Sequence, residues 1–370
     1  MPILAFLAGL VLFLLGSLPI RSSQKAIFGA WFGTSFSDNP KYLYLYANRH
    51  SDKRCIWITG DRSLRDALKE QGFEVYQRWS WLGIWHQLTS KTFFVCVSSR
   101  DCNPFCQGLT ARVVMMNHGM PMKAIGFDVD HGMFGRIKNR IRRHSIDNYE
   151  IICSNGKAFN NCLASAYQVT LDRIVSVPAP RLDGFAAKPS ASPENGVLRA
   201  LWLPTHRSEG RDTDVIHQGL KEICALMSQA GQQNFQMAFK PHPYDVSLLQ
   251  ERDRFPEIEF ATETDVYRLL AETDLLISDY SSVIFDFAHL GRPILGFMPD
   301  YENYRSRIRD FYFDPKEIYT EHYEDSTSLV RAVRDIGLGR RAPSLDDGYL
   351  SSKYRAGRCS EVAWKLLVDD

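Results

Sequence analysis

Three loops in the C-terminal half of the sequence carry side chains that suit a diphosphate. His242 lies between two prolines that restrict its imidazole, so it can donate a hydrogen bond to a phosphate oxygen. Arg207 follows an apolar stretch and offers a guanidinium fork for the same oxygens. Ser281 and Ser282 stand where a predicted strand turns into a helix, which brings two hydroxyls and free backbone N–H groups together. Together these loops predict a pyrophosphate site, although Arg207 alone also suits a solvated surface arginine and the two serines alone suit a helix cap.

Two loops in the N-terminal half could handle a hydroxyl acceptor. His118 ends a predicted strand and is followed by glycine and proline, so a neutral imidazole there could take a proton from a hydroxyl. Lys123 follows in the same loop and could assist a phosphate. A glycine- and hydroxyl-rich loop that contains residues 37–39 precedes a predicted helix and serves either as a cap or as an acceptor site. The alternative for His118 is a structural hydrogen bond.

The composition excludes several classes of protein. The 370 residues exceed an ordinary single core, so two domains are expected, and 45% hydrophobic with 24% charged residues is typical of a globular chain. A net charge of +1 argues against nucleic-acid binding. The eight cysteines lie mostly in apolar runs, as in a reducing compartment. Cys102 and Cys106 lack a second ligand pair, so the sequence predicts no metal site.

Short apolar runs alternate with amphipathic stretches along the chain, a pattern typical of parallel sheets covered by helices. The predicted strands are 25–32, 55–59, 74–77, 92–98, 112–117, 151–153, 198–203, 235–239, 258–261, 275–278 and 294–297. The predicted helices are 40–47, 63–71, 157–167, 214–230, 265–272 and 282–290. A proline-, alanine- and serine-rich connection at 178–196 separates two such α/β units. Two Rossmann-like domains facing a cleft are therefore expected, with the ligand-binding loops after the strands.

The first twenty residues contain no charged side chain and could form a helix that spans or dips into a membrane. Arg21 and Lys25 follow this run, which places the remaining chain on the cytoplasmic face of the cell membrane. The predicted organisation is thus a membrane-associated apolar helix in 1–24, an acceptor-side domain in 25–180, a donor-binding domain in 181–345 and a C-terminal segment in 346–370. A basic stretch at 136–143 could also contact anionic lipid.

The loops above, in this order, resemble those of the CDP-glycerol glycerophosphotransferase family, which makes teichoic-acid-type and related capsular polymers. The similarity runs from about residue 25 to 315. The matching segments are Phe36-Ser37-Asp38-Asn39-Pro40-Lys41, His118-Gly119-Met120-Pro121-Met122-Lys123, Pro204-Thr205-His206-Arg207, Lys240-Pro241-His242-Pro243 and Ser278-Asp279-Tyr280-Ser281-Ser282-Val283. Five spaced segments make the resemblance specific.

The resemblance implies a GT-B-like fold and transfer of glycerol phosphate or ribitol phosphate from a CDP-polyol, with release of CMP and without a metal or other cofactor. The implied acceptor is a hydroxyl of a glycan or of a polyprenyl-pyrophosphate-linked saccharide. His118 becomes the base on that hydroxyl and His242 a second catalytic group. The implied donor-binding residues are Arg207, Lys240, Asp279, Ser281 and Ser282. The implied acceptor-side residues are Ser37, Asp38, Asn39 and Lys123.

The chain departs from the family pattern at Met120, Met122 and His206, where the family usually has Thr, Leu and Trp. These departures bear on the acceptor and on the polyol. A nucleotide-sugar glycosyltransferase of GT-B type is the alternative enzyme, and a membrane-attached binding protein without activity is a third interpretation. The sequence leaves open the polyol, the acceptor, the number of units added and the oligomeric state.

Overall fold

The fold is described from a computed structural model. It describes residues 2–129, 135, 137, 149–187, 196–207, 214–230, 235–242, 245–262, 266–307, 310–339 and 357–368. The basic stretch at 136–143, apart from Ile137, and residues 188–195 of the predicted linker lie outside these ranges.

The first sheet has seven strands, all parallel, in the order β3-β2-β1-β4-β5-β6-β7. Its strands are β1 Ser22–Phe28, β2 Arg54–Thr59, β3 Val75–Gln77, β4 Ser90–Val95, β5 Arg112–Met115, β6 Ile151–Ser154 and β7 Ile174–Ser176. The central strands are buried on both faces, as expected when helices cover a parallel sheet. The order reverses between β1 and β4, which is where such sheets bind ligands.

The second sheet repeats this arrangement with six parallel strands in the order β10-β9-β8-β11-β12-β13. Its strands are β8 Leu198–Leu203, β9 Phe235–Phe239, β10 Ile258–Phe260, β11 Leu275–Ser278, β12 Ile294–Phe297 and β13 His322–Tyr323. The switch point of this sheet lies between β8 and β11. Both sheets are therefore parallel and Rossmann-like, as expected for the two predicted α/β units.

Helices flank the two sheets. They are α1 Pro2–Gly16, α2 Asp38–His50, α3 Arg62–Glu70, α4 Trp81–Thr89, α5 Pro104–Gln107, α6 Asn160–Tyr167, α7 Asp214–Ala230, α8 Val266–Ala271, α9 Val283–Phe287, α10 Tyr301–Arg307, α11 Pro315–Ile318, α12 Ser326–Gly337 and α13 Cys359–Val368. Several begin at a side-chain cap: Asp61 accepts from the N–H of Leu64 in α3, and Asp325 from the N–H of Ser328 in α12. Such caps satisfy backbone donors that the first turn leaves unpaired.

The chain divides into two compact units. The first contains residues 1–120, 126–183 and 357–370, and the second contains 121–125 and 184–356. The short segment 121–125 belongs to the second unit because Lys123 pairs with Phe311 and the N–H of Ala124 donates to the carbonyl of Asp310. In the first unit, Trp364 of α13 packs against Phe28 and Phe94 of the sheet.

The expected membrane-associated helix in residues 1–24 is contradicted. In the described part of the chain, no helix combines the length and the apolar character needed to cross a bilayer. α1 has 15 residues, about 22 Å at roughly 1.5 Å per residue, and falls short of an apolar layer of about 30 Å. After α1, the Arg21 side chain donates hydrogen bonds to the carbonyls of Gly16, Ser90 and Cys106.

Candidate functional site

The carboxyl ends of β8 and β11 form the centre of the candidate site in the second unit. β8 leads into Thr205, whose N–H and Oγ1 donate to Asp279 Oδ1 at 2.9 and 2.7 Å. β11 ends at Ser278, whose hydroxyl donates to the carbonyl of Leu203 at 2.7 Å. Asp279 therefore ties together the two loops that flank the switch point.

Arg207 is buried in this centre. Its Nη2 donates to Asp279 Oδ2 and its Nε to Asp300 Oδ2, both at 2.8 Å, while the Tyr280 and Tyr304 rings lie 5.2 and 4.8 Å from its Cζ. Burial alone lowers the pKa of Arg207, but the two carboxylates outweigh it and raise the pKa above its ordinary value. The guanidinium that the sequence predicts as a phosphate fork is thus already bound by two carboxylates.

The turn with Ser281 and Ser282 follows directly. Both side chains are half-buried, and neither hydroxyl caps the helix, apart from a 3.4 Å approach of the Val283 N–H to Ser281 Oγ. The helix predicted for 282–290 consists of α9, with five residues, followed by a 3-10 turn at Ala288–Leu290. Because the helix is this short, the hydroxyls rather than a long helix dipole are the groups the turn offers to a phosphate.

His242 lies in the loop after β9, next to a second histidine from the loop after β8. The His206 and His242 ring centroids are 5.4 Å apart, and His206 Nδ1 lies 2.7 Å from Asp245 Oδ1. Burial is the main cause that lowers the pKa of His242 to about 4, and the neighbouring His206 and Lys123 add to it. His242 is therefore neutral near pH 7.

Two lysines also belong to the second unit. The N–H of Lys240 donates to the carbonyl of Trp202, which fixes the start of the loop that carries His242. Lys123, which the sequence predicts on the acceptor side, belongs to the second unit, where its Nζ lies 3.4 Å from the Tyr304 hydroxyl. The sequence groups it with His118 because the two residues share one loop, whereas the pairing with Phe311 assigns Lys123 to the second unit.

His118 lies in the first unit, in the loop after β5, and its side chain is exposed. Its Nδ1 is 3.2 Å from the carbonyl oxygen of Cys96, and the Trp31 ring lies 5.3 Å away. A carbonyl oxygen only accepts, so the neutral ring carries its proton on Nδ1. That tautomer leaves Nε2 with a lone pair, which is the state a general base needs.

Three buried polar residues, Asn117, Asn39 and Arg181, form the hydrogen bonds around the turn that carries His118. Asn117 adopts a left-handed conformation with φ of 57°, and its Nδ2 donates to the carbonyl of Cys153. Asn39 donates through Nδ2 to the carbonyls of Asn117 and Met116, and it accepts from the N–H of Arg181.

Of the predicted acceptor-side residues, Asp38 and Asn39 are buried beneath this turn, and Arg181 Nη1 lies 3.4 Å from Asp38 Oδ1. Ser37 is half-buried, with its hydroxyl 2.8 Å from that of Ser35.

A buried carboxylate that the sequence analysis missed organises the switch point of the first sheet. Asp101 accepts from the N–H groups of Cys96 and Val97 after β4 and of Phe32 after β1, each at 2.8 Å. Burial raises the pKa of Asp101, and these hydrogen bonds partly oppose the shift. Asp300 in the second unit was missed in the same way. A lone Asp a few residues after an apolar strand is the signal that could have indicated both.

Comparisons with known proteins agree with this architecture. The sequence profile of the CDP-glycerol:poly(glycerophosphate) glycerophosphotransferase family matches residues 13–342. The teichoic acid glycerol-phosphate transferase of Staphylococcus aureus is 25% identical over 87% of this chain and 86% of its own length. The teichoic acid ribitol-phosphate primase of Bacillus spizizenii is 27% identical over 65% of this chain and 64% of its own length.

The solved structure of the wall teichoic acid polymerase TagF superimposes with a TM-score of 0.74 at 17% identity, covering 99% of this chain and 94% of TagF. This structural similarity concerns the fold alone. The profile match covers most of the chain, and it includes the loops with His118, Arg207, His242 and Ser281. The chain therefore belongs to the CDP-glycerol:poly(glycerophosphate) glycerophosphotransferase family and is a polyol-phosphate transferase of cell-wall polymer synthesis.

Proposed function

We propose that this enzyme transfers glycerol phosphate from CDP-glycerol to a hydroxyl of a glycan or of a polyprenyl-pyrophosphate-linked saccharide and releases CMP. The observation that carries the proposal is the tautomer of His118: the Cys96 carbonyl accepts from Nδ1, so Nε2 is available as a base. The Staphylococcus aureus relative, named for glycerol-phosphate transfer, supports glycerol as the polyol.

In the proposed reaction, His118 Nε2 takes the proton of the acceptor hydroxyl while the oxygen attacks the β-phosphorus of the donor. The new P–O bond forms to the acceptor, and the bond between the β-phosphorus and the bridging oxygen breaks. CMP leaves with the electron pair of that bond. The protein contributes mainly by positioning the two substrates and by stabilising charge.

The proposed donor contacts come from the second unit. Ser281, Ser282, Lys240 and His242 bind the diphosphate oxygens, as their places after β11 and β9 of one parallel sheet support. We propose a positioning role for Arg207 and Asp279. Arg207 donates to the Asp279 carboxylate, which also accepts from Thr205, so the polar atoms of both residues are already occupied. The transfer step itself is proposed to need no metal, so turnover at saturating CDP-glycerol should persist after treatment with a chelator.

On the acceptor side, Asp38 and Asn39 act indirectly in this proposal. Their buried contacts support the turn that carries His118. Ser37, which is half-buried, can contact the acceptor itself.

The donor class can be tested without an acceptor. CDP-glycerol is expected to raise the melting temperature of the full chain more than CDP-ribitol or CMP, while UDP- and GDP-sugars leave it unchanged, because ligand binding to the native state stabilises it. At 100 times the Kd the gain is about 2.7 kcal/mol. The Ser281→Ala/Ser282→Ala variant should lose most of this gain, and Ser35→Ala, in the first unit, should keep it. Stabilisation by a UDP- or GDP-sugar alone would make the protein a nucleotide-sugar glycosyltransferase.

A membrane surface is the proposed working place, because a polyprenyl-linked acceptor is held there. Support comes from tryptophans at α4: Trp79 is 59%, Trp81 90% and Trp85 56% exposed. Exposed tryptophans are typical of protein surfaces that meet the membrane–water interface.

The membrane contact predicts a loss of vesicle binding. Trp81→Ser/Trp85→Ser is expected to lower the affinity for phosphatidylglycerol-containing vesicles at least about tenfold, since each buried apolar side chain contributes about 1.5–3 kcal/mol. Sedimentation with vesicles measures this, and Leu171→Ser, an exposed leucine of the same unit, is the control. Unchanged sedimentation of the tryptophan variant would refute the contact.

A further inference from the structure

Two histidines and an aspartate meet beside the candidate donor site. His206 comes from the loop after β8, and His242 and Asp245 come from the loop after the neighbouring strand β9. A ligand atom of each residue lies within 4.8 Å of the others. The sequence does not predict this cluster, because His206 and Asp245 are 39 residues apart and form no ligand motif.

Asp245 indicates that the cluster can accept a cation. Its side chain is only 5% exposed, and Oδ1 lies 2.7 Å from His206 Nδ1. Its Oδ2 is buried and has no hydrogen-bond partner among the described residues. A buried carboxylate oxygen without a partner is costly, on the order of 1–3 kcal/mol or more. A metal ion at this oxygen would remove that cost.

The ligand types select the class of ion. Imidazole nitrogens and a carboxylate suit zinc and neighbouring first-row transition metals, whereas magnesium and calcium prefer oxygen ligands alone. Three protein ligands of this kind leave a fourth position open to water or to a phosphate oxygen. The ligand atoms of the three residues lie within 4.8 Å of one another, so small side-chain movements would let all three bind one ion.

We propose that His206, His242 and Asp245 form a site for one divalent transition-metal ion of the zinc class. Binding replaces the hydrogen bond between His206 and Asp245 with bonds to the ion, and the neutral imidazole of His206 keeps its one proton on the ring nitrogen that does not bind the ion. His206 is the residue that makes the site particular to this chain, because it stands where the resembled family usually has tryptophan. The family resemblance implies transfer without a metal, but that expectation concerns proteins that usually lack His206 and so does not apply to this cluster.

The consequence for the donor rests on the proposed function. Arg207 is already paired with two carboxylates, and Asp245 adds a third buried carboxylate in the same unit. A diphosphate would add further negative charge there, and a divalent ion would offset it. CDP-glycerol is therefore expected to bind several-fold more tightly to the metal-loaded protein than to the metal-free protein.

The site is tested by metal binding in the absence of any donor. The full chain is stripped with a chelator and titrated with Co²⁺, whose visible absorption reports coordination, and then with Zn²⁺ against a colorimetric chelator. One equivalent is expected to bind. His206→Trp should weaken binding by more than the roughly 10- to 100-fold that loss of an outer-shell partner costs. Tryptophan is a suitable replacement because the resembled family usually has it at this position.

His217→Gln is the matched control. His217 Nε2 lies 3.0 Å from Glu251 Oε1, so it also pairs with a carboxylate in the second unit, but it is not part of the cluster. Equal binding by wild type and His206→Trp, or an equal loss in His217→Gln, would overturn the site. Because no donor enters the titration, its outcome is independent of whether CDP-glycerol is the substrate. Unchanged CDP-glycerol affinity in the metal-loaded protein would contradict only the coupling to the donor.

Discussion

Replacing His118 with alanine is expected to lower the turnover number by about 10²- to 10⁴-fold, the usual contribution of a general base. The affinity for CDP-glycerol should stay within about twofold, because the proposed donor contacts lie in the second unit. The fold should also survive, since His118 is exposed and Asn39 and Asn117 fix its turn through other contacts. Rates of CMP release and donor-induced shifts in melting temperature measure the two effects separately.

His50→Ala is the control for His118→Ala. His50 is an exposed histidine of the same unit, at the end of α2, and it stacks on Tyr46 away from the strand ends. Normal turnover in His118→Ala, or an equal loss in His50→Ala, would remove the base assignment. A loss of donor affinity as large as the loss of turnover would instead indicate that His118 acts on the donor.

Replacing Arg207 with alanine is expected to destabilise the second unit by about 3–5 kcal/mol, because Asp279 and Asp300 would remain buried without their cation. The melting temperature should fall by about 6–20 °C at roughly 2–4 °C per kcal/mol. Donor affinity should fall as well, since Asp279 holds the turn that leads to Ser281. Differential scanning fluorimetry with and without CDP-glycerol measures both changes.

Lys316→Ala provides the comparison for Arg207→Ala. Lys316 and Glu324 form an ion pair at 2.6 Å in the same unit, but both side chains are partly exposed, so their pair should contribute at most about 1 kcal/mol. If Arg207→Ala is no more destabilising than Lys316→Ala, the buried pairs do not hold the site. If Arg207→Ala loses donor binding with an unchanged melting temperature, Arg207 contacts the phosphate directly, as the sequence first indicated.

The strands were predictable because buried parallel strands are short, continuous apolar runs. Every predicted strand overlaps an observed one, from β1 to β12, but β7 and β13, with three and two residues, were missed. α4 was not predicted either, although Trp81, Ile84, Trp85 and Leu88 stand at the spacing of one helix face.

The loops that carry the site were predictable from their order, but the partners of their residues were not. Nothing in the motif around Arg207 indicates Asp300, which follows β12 and is 93 residues away. The sequence therefore assigned the Arg207 guanidinium to a phosphate, whereas in the structure two carboxylates bind it. Asp245 and Asp101 were missed likewise, because a buried carboxylate becomes informative only when the atoms around it are known.

The N-terminal expectation failed because composition alone does not give helix length. Residues 1–20 have the apolar content of a membrane segment, but α1 ends at Gly16. The side chain of Arg21 then binds carbonyl oxygens in the first unit, including those of Ser90 at the start of β4 and Gln107 at the end of α5. Those contacts join residues that are far apart in the sequence, so no short stretch of the sequence indicates them.

The most direct test of the proposed reaction is to follow a label on the β-phosphorus of CDP-glycerol. The full-length enzyme would be incubated with the labelled donor and a polyprenyl-pyrophosphate-linked saccharide primed with glycerol phosphate, and the nucleotide product would be separated from the polymer. Attack on the β-phosphorus predicts that the label enters the acceptor and that the released nucleotide is unlabelled CMP. Labelled CDP as the product would mean that a C–O bond breaks instead, and it would contradict the phosphoryl transfer proposed here.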